Sequence, residues 1–253
     1  MKRWLALLLL LWASPGWAVV DPVSWWTFNE GSGTTATDTG SGGNTGTLEA
    51  SATWGTGNIG SYALSLDGTN GNYVLVGDPG SGNLDFGTSD FSISLWFKTS
   101  DTTNTEMLVN KRFSGSCEPA LDEGYYIIMD PGGDFFGAIC DGGTVNKGTA
   151  VWAGKADGAW HHLVMLVDTT NDVLQLYGDG VQVGSDTDIT GYGSLSNNQG
   201  LAIGSDNFAT AVFNGLIDDV RIYNRVITPT EITDMYNQTE GGGLPTNFFA
   251  RRR

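Results

Sequence analysis

Basic residues are scarce in this chain. Twelve Lys and Arg stand against 28 Asp and Glu over 253 residues, a formal charge of −16. A surface of that sign repels phosphate backbones and anionic lipid, which excludes nucleic-acid binding and disfavours polyanionic glycans. Neutral glycans, basic partners and divalent cations stay compatible. Histidine is nearly absent: His161 and His162 are the only two. They are adjacent in a segment of strand character, so they point to opposite faces and cannot act as paired ligands or relay members. No serine or cysteine nucleophile scheme can be built around them. Cysteine is limited to Cys117 and Cys140, enough for one intrachain bridge. With no histidine nearby they make a poor zinc site, and in an exported protein a disulfide is expected.

Apolar runs of membrane-spanning length are also missing. The longest, Leu5 to Trp12, is too short to cross a bilayer; Lys2 and Arg3 precede it and Gly16-Trp17-Ala18 follows. Residues 1–18 therefore read as a signal peptide cleaved after Ala18, which predicts a secreted, periplasmic or cell-surface protein without membrane insertion after cleavage. Loss of Lys2 and Arg3 leaves 10 basic residues against the same 28 acidic ones, a charge of −18.

What is present is a rhythm of short β-rich runs between Gly, Ser, Thr and Asn clusters. Strands are expected over 23–28, 61–66, 72–76, 91–98, 105–111, 124–130, 134–140, 160–168, 172–177, 181–184, 199–204 and 214–223. In the last of these, alternation places Leu216, Asp218, Val220 and Ile222 on one face. Only residues 229–237 read as helix, opened by Thr228-Pro229-Thr230-Glu231 as N-cap, proline at the first helical position and capping-box glutamate. The expected fold is an all-β, antiparallel jelly-roll sandwich over 19–240 with one short C-terminal helix. Residues 241–253 form a Gly-rich linker and a basic-aromatic tail, read either as a disordered end or as a handle for self-association.

Asn214 to Ile232, with its strand and capped helix, resembles the C-terminal end of laminin G-like domains in the concanavalin A-like lectin/glucanase superfamily. Trp25 to Gly33 and Asp38-Thr39-Gly40 are similar to the family's opening strand and loop. Leu64 to Gly68 with Tyr73-Val74, Phe91 to Phe97, Trp160 to Val164 and Leu176 to Gly180 extend the likeness in the expected order. Glycan-cleaving relatives carry Glu-x-Asp-x-x-Glu on one strand, and this chain lacks it. The nearest acidic cluster, Glu118 to Glu123, contains Pro119 and reads as a loop, so no enzyme is expected.

The resemblance also implies a possible calcium ion at the sandwich rim. Asp67, Asn72 and Asp218 are the expected ligands, with Asp38 and Glu30 in reserve, because calcium takes hard oxygen donors. The competing reading makes Asp67 the start of a tight turn and pairs Asp218 or Asp219 with Arg221 or Arg225. For sugar contact the candidates are Trp54, Phe113, Trp152, Tyr192 and Phe208, placed in loops or strand ends near Asn58, Asp157, Asn197 and Asn207. The functional expectation is a secreted, non-catalytic module for neutral glycan. The alternatives are an adhesion protein binding protein partners and a glycoside hydrolase with an unusual carboxylate pair.

Overall fold

The computed structural model describes residues 22–113, 123–143, 146–208 and 210–238. The expected signal peptide, the tail and Cys117 lie outside the described residues. Among those described, sixteen strands are numbered in chain order, with one helix after them.

One sheet runs β14 (Val181–Asp188), β13 (Val173–Gly178), β12 (His161–Asp168), β7 (Phe91–Lys98), β16 (Asn214–Tyr223), β5 (Tyr62–Asp67) and β4 (Thr53–Thr56), while β1 (Ser24–Trp26) pairs with the far half of β16. The other runs β11 (Asn146–Gly148), β10 (Asp134–Asp141), β9 (Glu123–Asp130), β8 (Glu106–Lys111), β15 (Leu201–Ile203), β6 (Val74–Val76), β3 (Gly46–Leu48) and β2 (Thr35–Ala36). Every named pairing is antiparallel. No described helix is long and apolar enough to cross a membrane.

The core lies between the sheets. Phe91, Ile93, Leu95 and Phe97 of β7 face inward, where they meet Tyr125, Ile127 and Met129 of β9 and Leu163, Met165 and Val167 of β12. The outer face of the first sheet is covered as well. Helix α1 (Pro229–Tyr236) lays Ile232 and Met235 on Val164, Leu166, Tyr177 and Tyr223. That second cover explains why β12 is apolar at nearly every position. The helix begins as its sequence dictates. Thr228 accepts from the Glu231 N–H, Glu231 accepts from the Thr228 N–H at 2.8 Å, and Arg225 grips the same carboxylate at 2.7 and 2.9 Å. It ends at Tyr236, with Asn237 as C-cap.

Strand β16 departs from simple alternation. Its register with β7 shifts between Asp218 and Arg221, and Asp219 adopts a left-handed φ of 49°. This β-bulge moves Ile217, rather than Leu216, into the core beside Val220 and Ile222. The strands the sequence did not announce, β2, β3, β4 and β11, are only two to four residues long.

Candidate ligand-binding rim

The five candidate aromatics part company in the folded chain. Trp54 donates its indole N–H to the Gly33 carbonyl at 3.0 Å and packs against the core. Trp152 lies on Gly178, edge-on to Phe97 and to His161, whose ring is 5.3 Å away. Tyr192 packs on the core, and burial pushes its hydroxyl up to about 12. These three are packing residues first. Phe113 and Phe208 are different: they are 45 % and 53 % exposed and stand edge to face with centroids 5.4 Å apart.

Buried polar groups set this pair in place. Phe113 lies two residues past the end of β8, and Phe208 sits in the loop between β15 and β16. Asn207 donates its side-chain amide to the Arg112 carbonyl at 2.7 Å, joining the two segments. The Arg112 guanidinium is fully buried, 3.7 Å from the Tyr126 ring centroid, with its Nε donating to Asn110 Oδ1 at 3.2 Å. Asn110 returns a hydrogen bond to the Arg112 carbonyl at 3.2 Å. Asp206 holds the loop by accepting from the Thr210 N–H at 2.7 Å and its hydroxyl at 2.6 Å. Beneath them Lys111 Nζ meets Asp85 at 2.7 Å and Asp78 at 3.3 Å.

Lys111 and Arg112 are thus spent on support, and neither offers a surface charge to an anionic ligand. What the rim presents is two exposed rings, set edge to face on a buried polar base, the chemistry that meets sugar C–H groups. Sequence reasoning missed the supporting role of Asn110, Lys111, Arg112 and Asp206. The signal was available: two consecutive cations before an aromatic, in a chain with so few of them.

The expected calcium ligands do not form one set. Asp67 Oδ1 accepts from the Thr69 N–H at 2.9 Å and from the Asn72 amide at 2.6 Å, and Asn72 Oδ1 accepts from the Ser51 N–H at 2.7 Å. Asp67 stands opposite Asn214, whereas Asp218 is four residues farther along β16, roughly 13 Å at strand rise. Asp218 Oδ2 accepts from the Asn58 and Ile59 N–H groups at 2.8 and 2.9 Å. The reserves are also engaged: Asp38 accepts from the N–H groups of Trp25, Gly40 and Asn44, and Glu30 from that of Thr37. Among the described residues no group of three or more His, Cys, Asp or Glu side chains is placed to hold a metal. The ion-pair alternative is realised at Asp219, which meets Arg221 at 2.7 Å, and not at Asp218.

Two carboxyls have their pKa raised to about 7, as a general acid requires. Asp218 is raised by burial against the opposing pull of two backbone N–H groups. Glu106 is raised by burial and by nearby Asp101. Neither reaches the surface; Glu106 is closed in and accepts from the Asn214 N–H at 3.0 Å. No glycosidic bond could lie against either. The histidines face opposite ways. His161 bonds Asp179 at 2.9 Å and Asp157 at 3.1 Å, while His162 lies under Trp96 and is held near pKa 3, neutral, by burial and by Arg221. Cys140 is buried beside Tyr126 and Met107, and no described cysteine is free.

Comparison with known proteins fits this architecture. A laminin G family model, described as the concanavalin A-like lectin/glucanases superfamily, matches residues 67–233. No curated protein sequence matches the chain. Among solved structures, the binding domain of Paraclostridial Mosquitocidal Protein 1 is similar at a TM-score of 0.67 and 17% identity, covering 86% of this chain and 52% of that one. The Botulinum neurotoxin serotype D binding domain is similar at 0.64 and 13%, covering 85% and 50%. The serotype D ligand binding domain in complex with N-acetylneuraminic acid is similar at 0.63 and 12%, covering 85% and 50%. The chain spans about half the length of these domains, and at such identities the likeness is one of fold.

Proposed function

Because the chain belongs to the concanavalin A-like lectin/glucanase superfamily, we propose that it is a secreted, non-catalytic module that binds neutral glycan through the Phe113–Phe208 rim. The observation that carries this reading is the exposed aromatic pair on a polar base whose two cations are buried. Exposed aromatic rings reward the apolar face of a sugar, and the acidic chain disfavours sialylated or sulfated ligands. The similar toxin structures are binding domains, one of them in complex with N-acetylneuraminic acid, which supports a recognition role for this chain. Binding is not routed through calcium in this reading, because Asp218 lies apart from the hydrogen-bonded Asp67–Asn72 pair. Export follows from the expected cleavage after Ala18.

A glycan array on residues 19–253, read with and without chelator, tests the proposal. Binding to uncharged glycans that survives chelation, and that is lost in the F113A/F208A double variant at unchanged melting temperature, is the expected result. Binding retained in the double variant would remove the rim. Failure to bind any sugar would favour the adhesion reading, in which the same rings meet a protein partner.

A further inference from the structure

We propose that Lys111 and Asn197 become joined by a side-chain amide bond that the protein forms itself. Lys111 closes β8 with its side chain wholly inside, 0% exposed. Besides its two carboxylates, its Nζ lies 3.3 Å from the Asn197 carbonyl oxygen and 3.4 Å from Asn197 Oδ1. The amine therefore donates to both carbonyl oxygens of one asparagine, and a small swing from Oδ1 toward Cγ is the step that would bring it into attack range.

Asn197 is held to receive it. Its Nδ2 donates to the carbonyls of Lys111 at 3.0 Å and Glu123 at 2.8 Å, and its Oδ1 accepts from the Gln199 N–H at 2.8 Å. That last donor sits on the oxygen where negative charge would develop. Lys111 itself is wholly buried, while Asp85 and Asp78 keep 18% and 32% of their side chains exposed. An ion pair alone accounts for Asp85 and Asp78; it does not require an amide clamped at both ends with its oxygen against the amine.

The chemistry balances without a co-reactant. Asp85, 2.7 Å from Nζ and 3.3 Å from the Asn197 N–H, takes a proton from the Lys111 ammonium. The freed amine attacks Cγ of Asn197, and the oxyanion on Oδ1 rests on the Gln199 N–H. Nδ2 takes up the released proton, the Cγ–Nδ2 bond breaks, and the second proton from Nζ follows. The leaving group departs as ammonium, and an Nζ–Cγ amide remains. No oxidation state changes. The bond ties the end of β8, which bears Phe113, to the segment entering β15, which leads to Phe208. It rests on this cluster alone and stands or falls apart from the glycan reading.

Peptide mapping by mass spectrometry of the reduced, folded protein tests it. The expected species is a branched peptide joining Lys111 to Asn197, lighter by one ammonia than the two linear peptides together. The D85N variant should yield those peptides unlinked, and if it fails to fold the wild-type map decides alone. Linear Lys111 and Asn197 peptides at full mass in the wild type would overturn the proposal. So would an ammonia deficit confined to the Asn197 peptide, which marks a cyclic imide, or a branch to Asp85 lighter by one water.

Discussion

Asn207 and Arg112 are 95 residues apart in the chain, yet the Asn207 side chain donates to the Arg112 backbone carbonyl at 2.7 Å. That bond joins the segment bearing Phe113 to the one bearing Phe208. A hydrogen bond of this kind contributes about 1 kcal/mol. Asn207→Ala is expected to weaken glycan binding about fivefold while the melting temperature barely moves, because the core packing is untouched. Isothermal titration with a sugar selected on the array measures it. Unchanged affinity would mean that the rings need no such support.

Asp218 predicts an unusual pH response. Its pKa rises from 3.8 unfolded to about 7 folded, and that of Glu106 from 4.5 to about 7. The folded state therefore binds these two protons more tightly than the unfolded chain. The stability they contribute is complete below the unfolded values and is lost as pH rises through about 7. Asp67, Asp101, Asp188 and Glu231 have lowered values and act in the opposite sense, failing only in stronger acid. The melting temperature should thus be higher at mildly acidic pH than at pH ~8. Asp218→Asn removes a buried charge while keeping an oxygen for Asn58 and Ile59. It should raise stability at pH ~8 by a few kcal/mol and change little at pH ~4. Denaturant titrations of both proteins across that range would expose a missing crossover.

Gly124 is needed where β9 starts beside the base of the rim. Its φ of 140° is one that L side chains rarely adopt, and a Cβ there would run into the Lys111 carbonyl oxygen. Backbone, unlike a flexible side chain, cannot move aside cheaply. Gly124→Ala should cost more than about 1 kcal/mol and loosen the Lys111–Arg112 segment, so that glycan affinity and melting temperature fall together. An affinity loss at full stability would place the effect elsewhere.

The fold was legible where a pattern is local and repeated. The Phe91–Phe97 alternation, the apolar run of His161–Asp168 and the Thr228–Glu231 cap each carry their own period or spacing. Strands β2, β3, β4 and β11 escaped because two to four residues cannot display a period. The bulge at Asp218–Asp219 escaped for another reason. One left-handed residue resets the inward face, and a single Asp-Asp step does not announce that. The rim was half visible. Phe113 and Phe208 could be named as exposed aromatics, but their meeting depends on where a loop draped from β15 returns. Asp67 and Asp218 failed as a pair because the register of β5 on β16 sets them apart, and register belongs to the sheet rather than to either segment.

The helix provides the last prediction, since its two contributions can be separated. Thr228 caps the first turn, and Thr228→Ala removes the acceptor for the Glu231 N–H, at a cost of about 1 kcal/mol. The grip of Arg225 on Glu231 should keep that loss from growing. Met235 is buried against the outer face of the first sheet, with its sulfur 3.7 Å from the Tyr223 hydroxyl. Met235→Ala should cost about 2–4 kcal/mol, because it opens a cavity over β12 and β16. If the helix is a fixed part of the sandwich, both variants unfold in one transition that is merely shifted. A separate early transition, seen by hydrogen exchange at Val164 and Leu166, would show instead that α1 detaches on its own and that β12 can stand with one face bare.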